Sequence, residues 1–282
     1  YNGMSTAYNA CDTGGLWLNG VSVLAEIGNT NVLDIYRDQI QEVTGYILRH
    51  ITKDGLFVED PAYSGADRYG VQVTYWKDSI LNNKTRTTPD YPVVYTQPHF
   101  LNAQALARIG KLTGDAALLA ASDKMYEAGI ATLWAGDHFV TAIDSQGVID
   151  PPSSDSMLSL LHIPKTKLPV GYAARIEGYM EQLETESGYR TGLPVATRDD
   201  VYHTKWVWQH EQPLLHAAAR GHNLKHAQEV AKRIVPYMAS DAEQGIFAEL
   251  RDPETLEWEG NPIQYWAIAA SQYFQNPYKS LF

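Results

Sequence analysis

Apolar side chains recur every three or four positions over several stretches of this chain, which is the spacing of one face of an α-helix. Asp12 or Thr13 can cap the first of these stretches, and Gly28 can close it. The pattern predicts helices over residues 14–28, 30–50, 99–112, 115–134, 153–161, 169–183, 206–220, 224–238 and 263–274.

These helices are joined alternately by short turns and by long loops. The long loops cover residues 56–92, 139–152, 184–204 and 245–262. A short β excursion is expected in the second loop, around Gln146-Gly147. The alternation predicts an all-α fold of helical hairpins packed side by side, with the long loops on one face, where functional residues concentrate. A toroid of hairpins fits this format, and a helical solenoid is the alternative.

Composition narrows the class of ligand. The 282-residue chain has 33 acidic and 22 basic residues, a net charge of −11. Nucleic acids and anionic membranes need a basic face, so neither is an expected partner. The single cysteine, Cys11, rules out an internal disulfide, and no apolar run approaches the ~20 residues of a membrane span. No leader pattern follows Tyr1, and we expect a cytoplasmic protein.

No cofactor or metal is predicted. The chain has no phosphate-binding Gly-rich loop, no dinucleotide fingerprint and no His-Glu-x-x-His motif. His210 and His216 have a spacing that puts them on separate faces of a helix, which disfavours a shared zinc ion.

The segment Tyr75-Trp76-Lys77-Asp78 places one carboxyl group directly after two aromatic rings. Aromatic surroundings solvate a carboxylate poorly, so its neutral form is favoured and it can donate a proton to a leaving group. Asp78 is therefore a candidate general acid. The alternative is a surface aspartate in a turn that precedes an Asn-rich loop.

Hydrolysis of a sugar linkage requires a second carboxylate. Glu249 is the best candidate, because it follows a predicted break between a helix and a loop and lies among apolar neighbours. Its alternative role is an ion pair with Arg251. Glu211 and Asp12 are further options, which could orient the hydroxyl groups of a sugar rather than move protons.

Sugar recognition uses flat apolar rings with hydrogen-bonding groups at their edges. The segment 202–208 has this character, and so do Trp76, Trp258 and the Gln264-Tyr265-Trp266 segment. Core packing is the alternative role for each ring considered alone. The concentration of rings beside the long loops favours the binding role.

The order of these segments resembles the glucosidase domain of glycogen debranching enzymes (amylo-α-1,6-glucosidases) and the mannosylglycerate-hydrolase-like glycosidases, which share an (α/α)6 toroid. The resemblance spans nearly the whole chain in order. The segments that carry it are Tyr8-Asn9-x-x-Asp12 with Leu16-Trp17, Asp54-Gly55-Leu56, Trp76-x-Asp78-Ser79, the region 148–161, Tyr202-His203 with Val207-Trp208, Glu249-Leu250, and Pro262-x-Gln264-x-Trp266.

The resemblance implies an inverting, exo-acting hydrolase of α-glucosidic oligosaccharides, with Asp78 as general acid and Glu249 as general base. The family's opening Trp-Gly-Arg-Asp segment has no counterpart here. We therefore expect residues 1–282 to form one catalytic domain that is truncated at its N-terminus relative to the family. The chain is then either a fragment whose toroid is completed elsewhere or a reduced, inactive or active, relative. The predicted substrate contacts are Tyr8, Asn9, Asp12, Trp17, Trp76, Tyr202, His203, Trp208, Glu211, Gln264 and Trp266.

Two other functions remain open at this stage. Sugar epimerases on the same toroid use histidine pairs as acid and base, and His203 with His210 could form such a pair. A non-catalytic carbohydrate-binding relative is the second alternative.

Overall fold

The computed structural model describes residues 10–60, 74–77, 89–193 and 202–275. Within these ranges the chain divides into two compact units, one built from residues 10–60, 74–77, 89–134 and 140–149, the other from residues 135–139, 150–193 and 202–275. Both units are mainly helical within these described ranges. Among the described helices, none combines the length and the apolar character that crossing a bilayer requires.

The first unit is a group of helices with one small sheet. Its helices are α1 (Thr13–Glu26), α2 (Val32–Ile35), α3 (Arg37–Arg49), α4 (Thr96–Thr113) and α5 (Ala116–Thr132), and α4 packs against both α1 and α5. The turn between α4 and α5 follows from two residues. Gly114 adopts a left-handed conformation that ends α4, and the Asp115 carboxylate caps α5 by accepting bonds from the first backbone N–H groups.

The sheet of this unit confirms the β excursion expected near Gln146-Gly147. Its strands are β1 (Val94–Tyr95), β2 (Ala142–Asp144) and β3 (Gly147–Ile149), in the order β1-β2-β3 with antiparallel pairing. The turn from β2 to β3 relies on Gly147, whose φ of 123° is strained for any other residue.

The second unit contains the remaining helices and two small sheets. Its helices are α6 (Asp155–Leu160), α7 (Tyr172–Met180), α8 (Glu211–Gly221), α9 (Lys225–Lys232), α10 (Val235–Glu243) and α11 (Tyr265–Gln275). The strands β4 (Glu184–Thr185) and β5 (Gly188–Tyr189) form a hairpin, whereas β6 (Val207–Trp208), β7 (Leu250–Arg251) and β8 (Trp258–Glu259) form an antiparallel sheet in that order.

The helical expectation holds for most of the described chain, but three predictions of helix extent were wrong. The helix expected over 224–238 is broken between α9 and α10, because Pro236 has no N–H and its ring would clash with the preceding turn. The helix expected over 30–50 is interrupted at Tyr36. The helix expected from 206 begins only at Glu211, because residues 207–208 pair with β7.

Candidate active site

Glu249 lies in the second unit, directly before the strand β7. Its two chain neighbours, Ala248 and Leu250, are buried, and the carboxylate-bearing side chain itself is half-buried. The Glu249 N–H donates to the Asn261 carbonyl at 2.9 Å, and the Glu249 carbonyl accepts from the Gln209 N–H at 3.3 Å. The backbone of this residue is therefore held from both sides.

The carboxylate of Glu249 has a donor on each oxygen. Oε1 accepts from the Tyr202 hydroxyl at 2.8 Å and from the Gln264 side-chain amide at 3.4 Å. Oε2 accepts from the backbone N–H of Asn261 at 3.2 Å. Donors on both oxygens fix the orientation of the carboxylate, which a general base needs.

Gly260 completes the surroundings of this carboxylate. A Cβ atom at this position would lie 2.8 Å from Glu249 Oε2, and the backbone has a φ of 75°. Any side chain at this position would therefore meet both a close contact and a strained backbone. Neither Gly260 nor Asn261 was a predicted site residue, because their importance comes from a pairing that only the fold creates.

The predicted alternative role of Glu249, an ion pair with Arg251, is wrong. The Arg251 guanidinium donates to the Asp241 carboxylate on α10, and both residues are buried. It also donates to the carbonyl of Leu256, in the turn before β8. Arg251 thus ties β7 to its surroundings and leaves the Glu249 carboxylate to the donors described above.

Aromatic rings form a continuous cluster next to Glu249. Tyr202 contacts Trp208 edge-on at 5.1 Å, and His203 stacks on Trp208 with ring centres 5.0 Å apart. The chain of ring contacts continues through His210 to Trp266. Tyr202 and Trp266 are 41% and 53% exposed, whereas His203 and Trp208 are almost wholly buried. The exposed members can contact a ligand, and the buried members support them.

Glu211 does not face a ligand, contrary to the sequence-based expectation. Its side chain is fully buried, and its two carboxylate oxygens accept from the hydroxyl groups of Ser154 at 2.5 Å and Thr191 at 2.6 Å. These bonds tie the start of α8 to the residue before α6 and to the segment after β5. The role of Glu211 in this structure is therefore to hold helices together.

The first unit holds the other predicted residues that the structure describes. Asp12 precedes α1 but its side chain makes no cap bond, and burial raises the pKa of its carboxyl group. Trp17 is half-buried and contacts Tyr36 edge-on at 5.9 Å. Trp76 is half-buried, with the ammonium group of the buried Lys77 4.9 Å from its ring centre.

Glu59 is a further unusual carboxyl group in the first unit, and no local sequence pattern marks it. Its backbone pairs with Val93 in both directions, and the residue is almost wholly buried. Burial, together with the nearby Asp60 and Asp12, raises the pKa of Glu59 to about 7 in spite of the Tyr46 hydroxyl, which lies 3.4 Å from both oxygens.

Asp78, Tyr8 and Asn9 lie outside the described residues, so their proposed roles remain predictions from the sequence. Within the described ranges, no cluster of three His, Cys, Asp or Glu side chains has an arrangement that could hold a metal ion.

Comparison with solved structures shows what fold these elements form. An uncharacterised conserved protein from Thermus thermophilus matches with a TM-score of 0.65 at 14% identity, over 93% of this chain and 78% of that chain. A GH63 mannosylglycerate hydrolase from the same organism matches with a TM-score of 0.55 at 16% identity, over 65% and 46%. Neutral trehalase from Saccharomyces cerevisiae matches with a TM-score of 0.52 at 13% identity, over 67% and 39%.

These similarities show that the chain shares a helical fold with these proteins, and they support a fold like that of the (α/α)6 glycosidases. The match spans less than half of the length of the mannosylglycerate hydrolase and of the trehalase. No protein-family model matches the sequence, and no curated protein matches it either.

Proposed function

We propose that this chain forms the catalytic domain of an inverting, exo-acting glycoside hydrolase for α-glucosidic oligosaccharides, of the debranching α-1,6 type, on an (α/α)6 toroid. The observation that carries the proposal is the Glu249 carboxylate, which is half-buried, oriented by three donors and in direct contact with the exposed side chain of Tyr202. The fold shared with a mannosylglycerate hydrolase and a trehalase supports a carbohydrate substrate.

In the proposed reaction Glu249 is the general base and Asp78 is the general acid. The base takes a proton from water, and the resulting hydroxyl attacks the anomeric carbon from the face opposite the leaving group. Asp78 donates a proton to the departing glycosidic oxygen. An inverting mechanism would require the two carboxyl groups to stand about 6.5–9.5 Å apart, which leaves room for the water.

The exposed rings of Tyr202 and Trp266 would stack on the sugar, while Gln264 would contribute an amide at its edge. Stacking on an aromatic face suits the CH groups of a pyranose, and hydroxyl or amide groups at the ring edge suit its OH groups. Tyr202 would contact both the substrate and the base, because its ring would stack on the sugar while its hydroxyl donates to Glu249.

The epimerase alternative requires two histidines that can reach the substrate, and His203 is too deeply buried to favour it. His203 is only 3% exposed and stacks flat on Trp208, so its ring does not present itself to a ligand in this conformation. The experiment described next also distinguishes a hydrolase from a protein that only binds carbohydrate.

The test is turnover of a panel of 4-nitrophenyl α-glucoside, isomaltose and maltotriose, with the first-formed anomer followed by NMR. The wild-type protein should release the β-anomer from an α-linked substrate. Glu249→Gln and Asp78→Asn should each lower kcat by about 10²- to 10⁴-fold. Glu254→Gln, which changes an exposed carboxylate in the turn after β7, is the matched control and should retain activity.

Three results would contradict the proposal. Release of the α-anomer first would contradict inversion. Full activity of Glu249→Gln would remove its role as base. Binding of isomaltose in a calorimeter without turnover of any panel member would favour a non-catalytic module.

A further inference from the structure

The two oxygens of the Glu249 carboxylate accept different numbers of hydrogen bonds. A carboxylate oxygen has two lone pairs that can accept hydrogen bonds. Oε1 has two donors, the hydroxyl of Tyr202 and the amide of Gln264. Within the described chain, Oε2 has one donor, the N–H of Asn261. Oε2 therefore retains a lone pair that Oε1 has already used.

The backbone next to Oε2 also lacks a side chain. Gly260 has the left-handed φ of 75°, and a Cβ atom built on it would lie 2.8 Å from Oε2 and 3.3 Å from Glu249 Cβ. A methyl group at this position would push the carboxylate away, because such a contact is shorter than van der Waals separation. The glycine thus preserves the position of Oε2 and of the N–H bond to it.

We propose that Oε2 is the atom of Glu249 that takes the proton from water, and that Gly260 is the positioning residue that keeps it in place. This inference rests on the proposed hydrolase function. In the step, one O–H bond of water breaks and its proton moves to Oε2. The water oxygen forms a bond to the anomeric carbon, and the glycosidic bond breaks as the leaving oxygen takes a proton from the general acid.

The chain offers a matched control for the glycine. Gly245, just after α10, has a φ of 74°, almost the same as that of Gly260, but a Cβ atom there would meet no atom within 4 Å. Gly245→Ala therefore introduces the same backbone strain without a new contact. A difference between Gly260→Ala and Gly245→Ala measures the new contacts of the Cβ atom, which are 2.8 Å to Glu249 Oε2 and 3.3 Å to both Glu249 Cβ and Leu250 Cδ1.

The expected effect lies on kcat rather than on KM. A misplacement of about 1 Å in a catalytic group can lower a rate about 100-fold. We expect Gly260→Ala to lower kcat for 4-nitrophenyl α-glucoside about 10- to 100-fold relative to Gly245→Ala, with less than about a twofold change in KM.

A second pair of variants tests whether backbone strain, rather than the contact with Glu249, causes the loss of activity. Asparagine tolerates a positive φ better than alanine but carries the same Cβ atom, so Gly260→Asn and Gly245→Asn repeat the comparison with less backbone strain. The Gly260→Ala change is also made in the Glu249→Gln background. If Gly260 acts through the carboxylate, it should cause no further loss there.

The outcomes separate this inference from the proposed function. Equal kcat in Gly260→Ala and Gly245→Ala, with Glu249→Gln strongly impaired, would overturn the role of Gly260 and leave the hydrolase proposal standing. A further loss from Gly260→Ala in the Glu249→Gln background would show that the glycine acts elsewhere. Wild-type protein that neither hydrolyses the nitrophenyl glucoside nor binds 1-deoxynojirimycin in a calorimeter would overturn both proposals.

Discussion

Glu59→Gln should stabilise the protein at alkaline pH and remove part of its pH dependence. Burial raises the pKa of Glu59 from 4.5 to about 7. The folded state therefore binds more protons than the unfolded state between these two values, so stability falls as the pH rises through that window. Between about pH 5 and pH 8, a group with these two pKa values lowers the free energy of unfolding by about 2.5 kcal/mol.

Glutamine has nearly the same shape as glutamate and cannot ionise, so it should keep the packing and avoid this loss. The measurement is urea unfolding of the wild type and of Glu59→Gln at both pH values. The expected result is a wild-type decrease that exceeds the decrease of the variant by about 2.5 kcal/mol. Glu42→Gln, which changes an exposed carboxylate on α3, should behave like the wild type.

Equal losses of the free energy of unfolding in the wild type and in Glu59→Gln between the two pH values would contradict a raised pKa of Glu59. That outcome would mean that Glu59 is not desolvated in the folded state. A variant that is less stable at both values would point instead to a structural role for the carboxyl group, for example in its contact with the Tyr46 hydroxyl.

Three further predictions concern the second unit. Asp241→Asn should lower the free energy of unfolding by about 3–5 kcal/mol in chemical denaturation, because it leaves the Arg251 charge buried without its partner. Tyr202→Phe, which removes a donor from Glu249, should lower kcat on the nitrophenyl glucoside more than it lowers thermal stability. His138 has a raised pKa, because its bonds to two aspartates outweigh its burial. Its stabilising contribution should therefore be present below about pH 6.5 and lost above the raised pKa. In urea unfolding, His138→Gln should show no such loss.

The sequence predicts the helices well where apolar spacing alone determines them. The helices α4 and α5 lie close to their expected ranges, because both have a buried face and residues at their junction that stop one helix and cap the next. The short strands β6 and β7 could not be predicted, because two-residue strands have no periodicity of their own. Their existence depends on pairing between segments that are far apart along the chain.

The same distinction applies to the candidate site. Glu249 and Tyr202 were identified from local motifs, and the structure joins them by a hydrogen bond. Gly260 and Glu59 have no local signal, because one matters through the carboxylate beside it and the other through burial against Val93. Glu211 was misjudged for a related reason: a charged residue in an aromatic motif suggested a ligand, and only the fold reveals its two hydroxyl partners.

The buried pair of Arg251 and Asp241 has a consequence for how this protein can change during evolution. The strand that follows Glu249 is held to α10 by an ion pair between two buried side chains. Replacing either one alone leaves the other charge buried and unpaired. Relatives that keep the strand should therefore either retain both charges or exchange both for apolar residues of similar volume. Positions 241 and 251 are expected to vary together among relatives, whereas the exposed positions of the turn after β7 are expected to vary independently.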